Sequence, residues 1–370
     1  MLGLRRAVSR VSLRSFSSVA APSPSFASML EPPVRARRDF IGAFPEETEA
    51  NNFEVNWSLG DDDITPRNNC YRNRALDRLA QAASANPISS VRANATAQAL
   101  DAAPFLDLWE DVTEYLGHVQ DLYISDGAVG GHAAARTPIR VVSDSPALAH
   151  ALANLLVKVP TLKDPHTPRP ILVVWESNAE KPVFAYNIDT NEDGFTQAKL
   201  VVRGAIELKD LISTVLNLKA ELDGDADTAV VAADVVVDKD GSTSLLFRAT
   251  DAFRGAHQGD LAAAHGAAWH PSVGVTPAFQ GAILPSGAVV AKKAKKARHQ
   301  TYPAVWSKEH SVVAFPFATV VNHPSTAVAI DASNKGEVSI DEFVQLVKGS
   351  PALAKALEQH QTKCVVKKAL

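Results

Sequence analysis

The stretch from Val119 to Pro160, VQDLYISDGAVGGHAAARTPIRVVSDSPALAHALANLLVKVP, decides the fold class. Leu122-Tyr123-Ile124 is a short aromatic and β-branched run that reads as a strand, ended by a turn at Gly127-Ala128-Val129-Gly130-Gly131. Ile139 to Val142 reads as a second strand. Ser145-Pro146 then supplies a capping hydroxyl and a first-turn proline, so the Ala- and Leu-rich run behind it is expected to be helical to about Val157. Strand, glycine turn, strand and capped helix in close succession predict an α/β or mixed α+β chain.

The same alternation continues outward. Upstream, Ala75 to Ala85 and Ala103 to Leu116 read as helices, the second with an apolar stripe through Phe105, Leu106, Leu108, Trp109, Val112, Tyr115 and Leu116. Downstream, strands are expected at Ile171 to Trp175 and Val183 to Tyr186, and a helix from Ile206 to Leu218. Further strands are expected at Ala229 to Val237, Ser244 to Phe247, Val312 to Phe317 and Ala327 to Ile330. Residues 26–70, rich in Pro, Asp and Asn, read as an extended arm, and 349–370 as a C-terminal tail.

Residues 1–25 carry Arg5, Arg6, Arg10 and Arg14 among many Ser and Ala, and the first acid is Glu31. Leu2, Leu4, Val8, Val11 and Leu13 form the apolar side of a one-sided helix. That is the composition of a mitochondrial presequence, the alternative being a disordered basic tail; it directs the chain to the matrix or the matrix face of the inner membrane. Apolar residues make up 46% of the 370, enough for a real core, yet no run approaches the ~20 that a membrane helix needs. Cys70 and Cys364 exclude a disulfide framework and a cysteine metal site, and a net charge of −4 gives no general affinity for nucleic acid.

Several features admit both a functional and a bland reading. Lys292, Lys293, Lys295, Lys296 and Arg298 form a basic segment that suits a lipid headgroup or RNA, but without interleaved aromatic residues a solvated loop is favoured. Asp331-Ala-Ser-Asn-Lys-Gly336 through Glu342 resembles a calcium loop, with Lys335 intruding at an oxygen-ligand position. Asp189-Thr-Asn191-Glu-Asp193-Gly194 begins well as such a loop, but Leu200 stands where the bidentate carboxylate belongs. Ordinary acidic turns are expected at both. His257, His265 and His270 read as loop histidines, Asp223, Asp225 and Asp227 as a solvated turn, and Trp175 and Trp269 as core residues.

The opening stretch also resembles the ATP-dependent phosphoenolpyruvate carboxykinases, in which a strand is followed by Asp-Ala-Phe-x-Gly-Ala, by Arg-x-x-x-Arg, and by an acid and a helix with spaced His and Asn. Asp126 and Gly130 fall on the first motif, Arg136 and Arg140 on the arginine pair, Asp144 on the acid, and His150 and Asn154 on the helix. Collinear echoes follow at Ala185-Tyr-Asn187, at Glu207-Leu-Lys209-Asp210, at His265-Gly266, at Tyr302-Pro303, at His323-Pro324 and at Asp331-Ala332, so the likeness spans roughly 105–347. It implies a two-lobed carboxykinase-like fold with 71–205 as the N-terminal α/β domain and 206–348 as a truncated nucleotide-domain-like region. It implies, too, a chemistry converting oxaloacetate and ATP to phosphoenolpyruvate, a step of gluconeogenesis, with Mn²⁺ or Mg²⁺.

The groups that such chemistry requires are missing. No Gly-x-x-x-x-Gly-Lys-Ser/Thr occurs, and Gly241-Ser242-Thr243 stands where the phosphate loop would fall, preceded by Asp238 and Asp240, which would repel a triphosphate. Lys209 remains, but the neighbouring metal-binding lysine is Asp210, no histidine lies between His166 and His257, and the expected aspartate falls among Ala262, Ala263 and Ala264. The substrate motif has no counterpart upstream of Leu106, and the substrate arginine becomes His299. The expected function is that of a noncatalytic carboxykinase-like protein, a pseudoenzyme with remnants Arg136, Arg140 and Lys209, no cofactor, and a structural or accessory role in a mitochondrial complex. The alternatives are a diverged carboxykinase that uses ATP with Mn²⁺ or Mg²⁺, and a calcium-responsive module; weak metal candidates are Asp210, Asp331 and Glu342.

Overall fold

The computed structural model describes residues 59–60, 62–88, 91–158, 170–224, 228–257, 260–286, 303–314 and 320–368. The presequence, most of the 26–70 arm, the 292–298 basic segment, His299, Tyr302, Asp225 and Asp227 lie outside them. The architecture is mixed α/β, with four sheets and seven α-helices among the described residues.

The first half builds a sheet from β1 (Asn69–Arg72), β2 (Gln98–Ala99), β3 (Asp121–Val129), β4 (Thr137–Ser143), β5 (Ile171–Glu176), β6 (Val183–Thr190) and β7 (Thr196–Arg203), in the order β1-β3-β4-β5-β7-β6-β2. Strands β4, β5 and β7 run parallel, and β3 and β6 antiparallel to their neighbours β4 and β7. The buried run Ile171-Leu-Val-Val-Trp175 has apolar side chains at every position because both faces are covered. Ile171, Val173 and Trp175 join one core; Leu172 and Val174 join the other. Helix α1 is Leu76–Ala85, and α2 (Ala102–His118) brings Phe105, Trp109, Val112 and Leu116 to the second core. Helix α3 (Pro146–Leu155) starts as its sequence dictates: the Ser145 hydroxyl accepts the Leu148 amide at 3.2 Å, and Pro146 fills the first turn.

After α4 (Leu208–Asp223) come β8 (Ala229–Val231), β9 (Ala233–Val237), β10 (Thr243–Phe247), α5 (Asp251–Ala256), β11 (Leu261–Ala263), β12 (Ala267–His270), β13 (Gly274–Pro277) and β14 (Gly281–Pro285). The remaining elements are β15 (Ala304–Val305), β16 (His310–Ala314), β17 (Thr326–Ile330), β18 (Gly336–Glu337), α6 (Ile340–Val347), α7 (Pro351–Gln359) and β19 (Lys363–Lys367). A six-stranded sheet has the order β11-β9-β10-β17-β19-β18, and two small sheets have the orders β13-β12-β8 and β14-β16-β15. Phe343 of α6 and Leu353 and Leu357 of α7 close the core of the six-stranded sheet.

The structure differs from the sequence reading at specific places. Residues 349–370 were expected as a tail, but α7 packs in the core and β19 lies parallel to β17 inside the sheet. The arm boundary at 70 falls within β1, and Leu59, Ile64 and Cys70 are fully buried against α2. Strand β7 was overlooked because its Thr-Gln-Ala-Lys start is polar, although Leu200, Val201 and Val202 are buried. A boundary at 205/206 separates no cores: Trp175 and Val202 share one cluster with Leu208, Phe279, Ile283 and Val312. No helix among the described residues is long and apolar enough to cross a membrane.

Candidate functional site

Arg140 is a structural cation. It is 1% exposed, and it donates to Asp126 through Nε at 2.7 Å and Nη2 at 2.8 Å, and to Asp62 through Nη1 at 2.8 Å. Arg72 reaches the other side of Asp126 at 2.7 Å. Burial opposes the Arg140 charge, but the two carboxylates outweigh it and hold the guanidinium protonated. Arg136 donates to the Gly131 carbonyl at 3.3 Å. Arg140 thus ties β3 to β4 and to Asp62, and Arg136 braces the β3–β4 turn, with its Nε buried and without a hydrogen-bond partner.

Gly241-Ser242-Thr243 does not form a phosphate cradle. These residues close a hairpin between the antiparallel strands β9 and β10, with Val237 opposite Thr243. The Gly241 amide donates to the Asp238 carbonyl, and Ser242 donates to Asp240 Oδ1 from both its amide (3.0 Å) and its hydroxyl (2.8 Å). A phosphate loop joins a strand to a helix, whose first amides then face the anion. Here the strand-to-helix connection comes one strand later, from β10 through Arg248-Ala249-Thr250 into α5, with no glycine and no lysine. Thr250 caps the Phe253 amide, and Asp251 places a carboxylate in the first turn.

The metal candidates stay apart. Asp210 Oδ2 accepts the Ala95 amide at 2.7 Å, tying the segment before β2 to α4. Asp331 pairs with Arg248 at 3.2 Å and accepts from Ser333, whose hydrogen bonds are the main reason its carboxyl lies below the ordinary range. Glu342 pairs with Lys335 at 2.6 Å, so the lysine at the fifth loop position takes the carboxylate that calcium would need. Asp331 follows strand β17 rather than an entering helix, and the Asp189–Gly194 loop is the β6–β7 hairpin turn, with Leu200 buried in β7. Among the described residues no group of three His, Cys, Asp or Glu is placed to hold a metal ion.

What the fold does assemble is a polar seam joining α4 and α5 to three of the four sheets. Glu207, which starts α4, lies 3.4 Å from Nδ1 of His310 on β16; His310 Nε2 lies 3.3 Å from Asp251 on α5. Asp251 receives Arg254 at 2.8 Å, and Arg254 Nε reaches Asp234 of β9 at 2.9 Å. Asp234 Oδ1 accepts the amide of His265, just before β12, at 2.8 Å, and His265 Nε2 accepts the Ile283 amide of β14 at 2.9 Å. Burial, above all, pushes His265 down to about 3, so it is a neutral acceptor. Asp234, fully buried, is raised by desolvation against the pull of Arg254. Burial alone would raise Asp251, but Arg254, His310 and Lys209 bring its carboxyl below the ordinary range.

No family model and no curated protein matches the chain. The functional reading therefore rests on side-chain geometry. Lys209 is half-buried in the first turn of α4, and its charge acts on Glu207 and Asp251. In the seam Arg254 serves both Asp251 and Asp234, while Oε2 of Glu207 and Nδ1 of His310 are buried without a hydrogen-bond partner. The arrangement ties α4, α5 and strands of three sheets together. Sequence reading reached only Lys209, His265 and the Glu207 position in this seam. It missed the roles of Asp234, Asp251, Arg254 and His310; Asp251 and Arg254 stand three apart on α5, but no local spacing links that pair to Asp234 or His310. Of the remaining histidines, His257 stacks on Phe253 at 4.2 Å and His270 holds the turn at Ser272. Trp175 is buried with its indole N–H on the Gly204 carbonyl at 3.1 Å.

Proposed function

We propose that this chain is a noncatalytic, carboxykinase-like protein that serves as a structural or accessory subunit of a mitochondrial assembly. The observation that carries the reading is the connection from β10 to α5. In a nucleotide-binding lobe that is the place for a glycine-rich loop with a lysine, and here it is Arg248-Ala249-Thr250 followed by the carboxylate of Asp251. Asp210, at the position of a metal-binding lysine, spends its carboxylate on the Ala95 amide. The collinear likeness from Asp126 to Asp331, together with a sheet buried on both faces and a second sheet with parallel β10, β17 and β19, supports a carboxykinase-like two-lobed ancestry. Fold outlives chemistry, so ancestry speaks for shape alone. The basic, acid-poor first 25 residues support a mitochondrial destination.

Calorimetric titration of the purified chain with ATP and Mn²⁺ is expected to give no saturable heat. Native electrophoresis of gently lysed mitochondria, followed by mass spectrometry, is expected to find the chain in a large assembly. Saturable ATP binding would favour the diverged-enzyme alternative, and migration as a lone monomer would remove the accessory-subunit role.

A further inference from the structure

Both ring nitrogens of His310 face carboxylate oxygens, Nδ1 towards Glu207 Oε2 at 3.4 Å and Nε2 towards Asp251 Oδ2 at 3.3 Å. A neutral imidazole has one N–H and one lone pair, so it can serve only one of two ionised carboxylates and must aim its lone pair at the other. Nδ1 of His310 and Oε2 of Glu207 are both buried and have no other hydrogen-bond partner. Leaving two buried acceptors face to face costs a few kcal/mol, about 1–3 for each unsatisfied group. One proton between them removes that cost. Imidazole is the more basic partner, at about 6.5 against about 4.3 for a glutamate carboxyl, so the proton resides on Nδ1.

We propose that Glu207, His310 and Asp251 form a proton-binding site whose occupied state, an imidazolium held between two carboxylates, clasps α4 to β16 and α5. The surroundings are consistent with one added positive charge. From α4, Glu207 favours it and Lys209 opposes it; from α5, Asp251 favours it and Arg254, already committed to Asp234, opposes it. His265, just before β12, is neutral, and Glu309 adjoins immediately before β16. Burial, the largest cause, raises the Glu207 carboxyl from its ordinary 4.5, with His310 acting in the opposite direction. A site that holds its proton more tightly folded than unfolded contributes stability below the unfolded value and loses it as pH rises through the folded one. The clasp therefore loosens on the alkaline side.

The test is nitrogen NMR of the full chain labelled at histidine, with His310 assigned from the signals lost in His310→Gln. In the occupied state both His310 ring nitrogens are expected to carry protons, and one is lost on the alkaline side. Glu207→Gln is expected to shift that loss to lower pH and to flatten the fall in melting temperature over the same range. A neutral His310 tautomer from about pH 6 upward in the unmodified chain overturns the proposal, whether or not the Glu207→Gln variant folds.

Discussion

The indole N–H of Trp269 donates to Nδ1 of His323 at 2.9 Å, and this one bond fixes the protonation of a histidine pair. With Nδ1 accepting, His323 is neutral and protonated at Nε2. Its ring stacks on His360 with centroids 3.7 Å apart and planes 13° from parallel, so a second proton would break the indole bond and set a charge against its neighbour. Burial first, and His360 second, hold His323 below the ordinary histidine range. A depressed folded value means that this contribution to stability is present at neutral pH and is lost as pH falls below about 6.5. The melting temperature is expected to drop from about pH 7 to about pH 5, and His323→Gln, which keeps an acceptor for Trp269 without a titrating ring, is expected to flatten that slope in a circular-dichroism series.

Removing the guanidinium of Arg140 leaves Asp126 and Asp62 without their shared buried cation. Arg140→Ala is expected to cost about 3–5 kcal/mol in urea unfolding. Arg140→Lys is expected to recover only part of it, because an ammonium cannot reproduce the fork that meets both Asp126 oxygens.

Lys219 offers a sharper contrast. Its ammonium is 1% exposed and bound by Asp223 at 2.8 Å and the Thr137 hydroxyl at 2.7 Å. Asp223→Ala strands a buried cation and is expected to cost about 2–3 kcal/mol; adding Lys219→Met to it is expected to return part of that loss. Chemical denaturation of the two single variants and the double variant measures the coupling.

Two glycines separate a tight turn from a loose one. A Cβ on Gly130, at φ +108°, would lie 2.0 Å from the Ala135 carbonyl oxygen, whereas one on Gly241, at φ +85°, meets nothing within 4 Å. Gly130→Ala is expected to destabilise the chain by more than about 3 kcal/mol and Gly241→Ala by about 1–2 kcal/mol, the backbone cost alone. Equal and large losses in thermal unfolding would mean that the β9–β10 hairpin is under a constraint its geometry does not reveal.

Calcium provides a fourth contrast. With Asp331 on Arg248 and Glu342 on Lys335, added calcium is expected to leave the melting temperature unchanged. Asp331→Ala is expected to lower it modestly with or without the ion, through the lost Arg248 and Ser333 contacts.

Local patterns in the chain were legible where physics is local. Ser145-Pro146 announces α3, and the apolar run at 171–175 announces a strand covered on both faces. Polar starts hid β7, whereas α7 opens on Ser350-Pro351, the same start as α3, which the reading of 349–370 as a tail passed over. The seam was legible only at single positions, Glu207, Lys209 and His265, and not as a unit. His310 meets Asp251 across 59 positions and Arg254 meets Asp234 across 20, and only the stacking of separate sheets brings them together. The candidate loop at Gly241 was misplaced for a related reason: a glycine after aspartates suits a hairpin as well as a phosphate loop, and only the next element, strand or helix, tells them apart.

Strand β19 lies between β17 and β18. Without residues 363–367, one side of β17 would be bare. A bare strand is a template for wrong partners. Strand β19, though late in the chain, is thus an interior strand, and a chain cut short before Lys363 is expected to leave β17 open to wrong pairing.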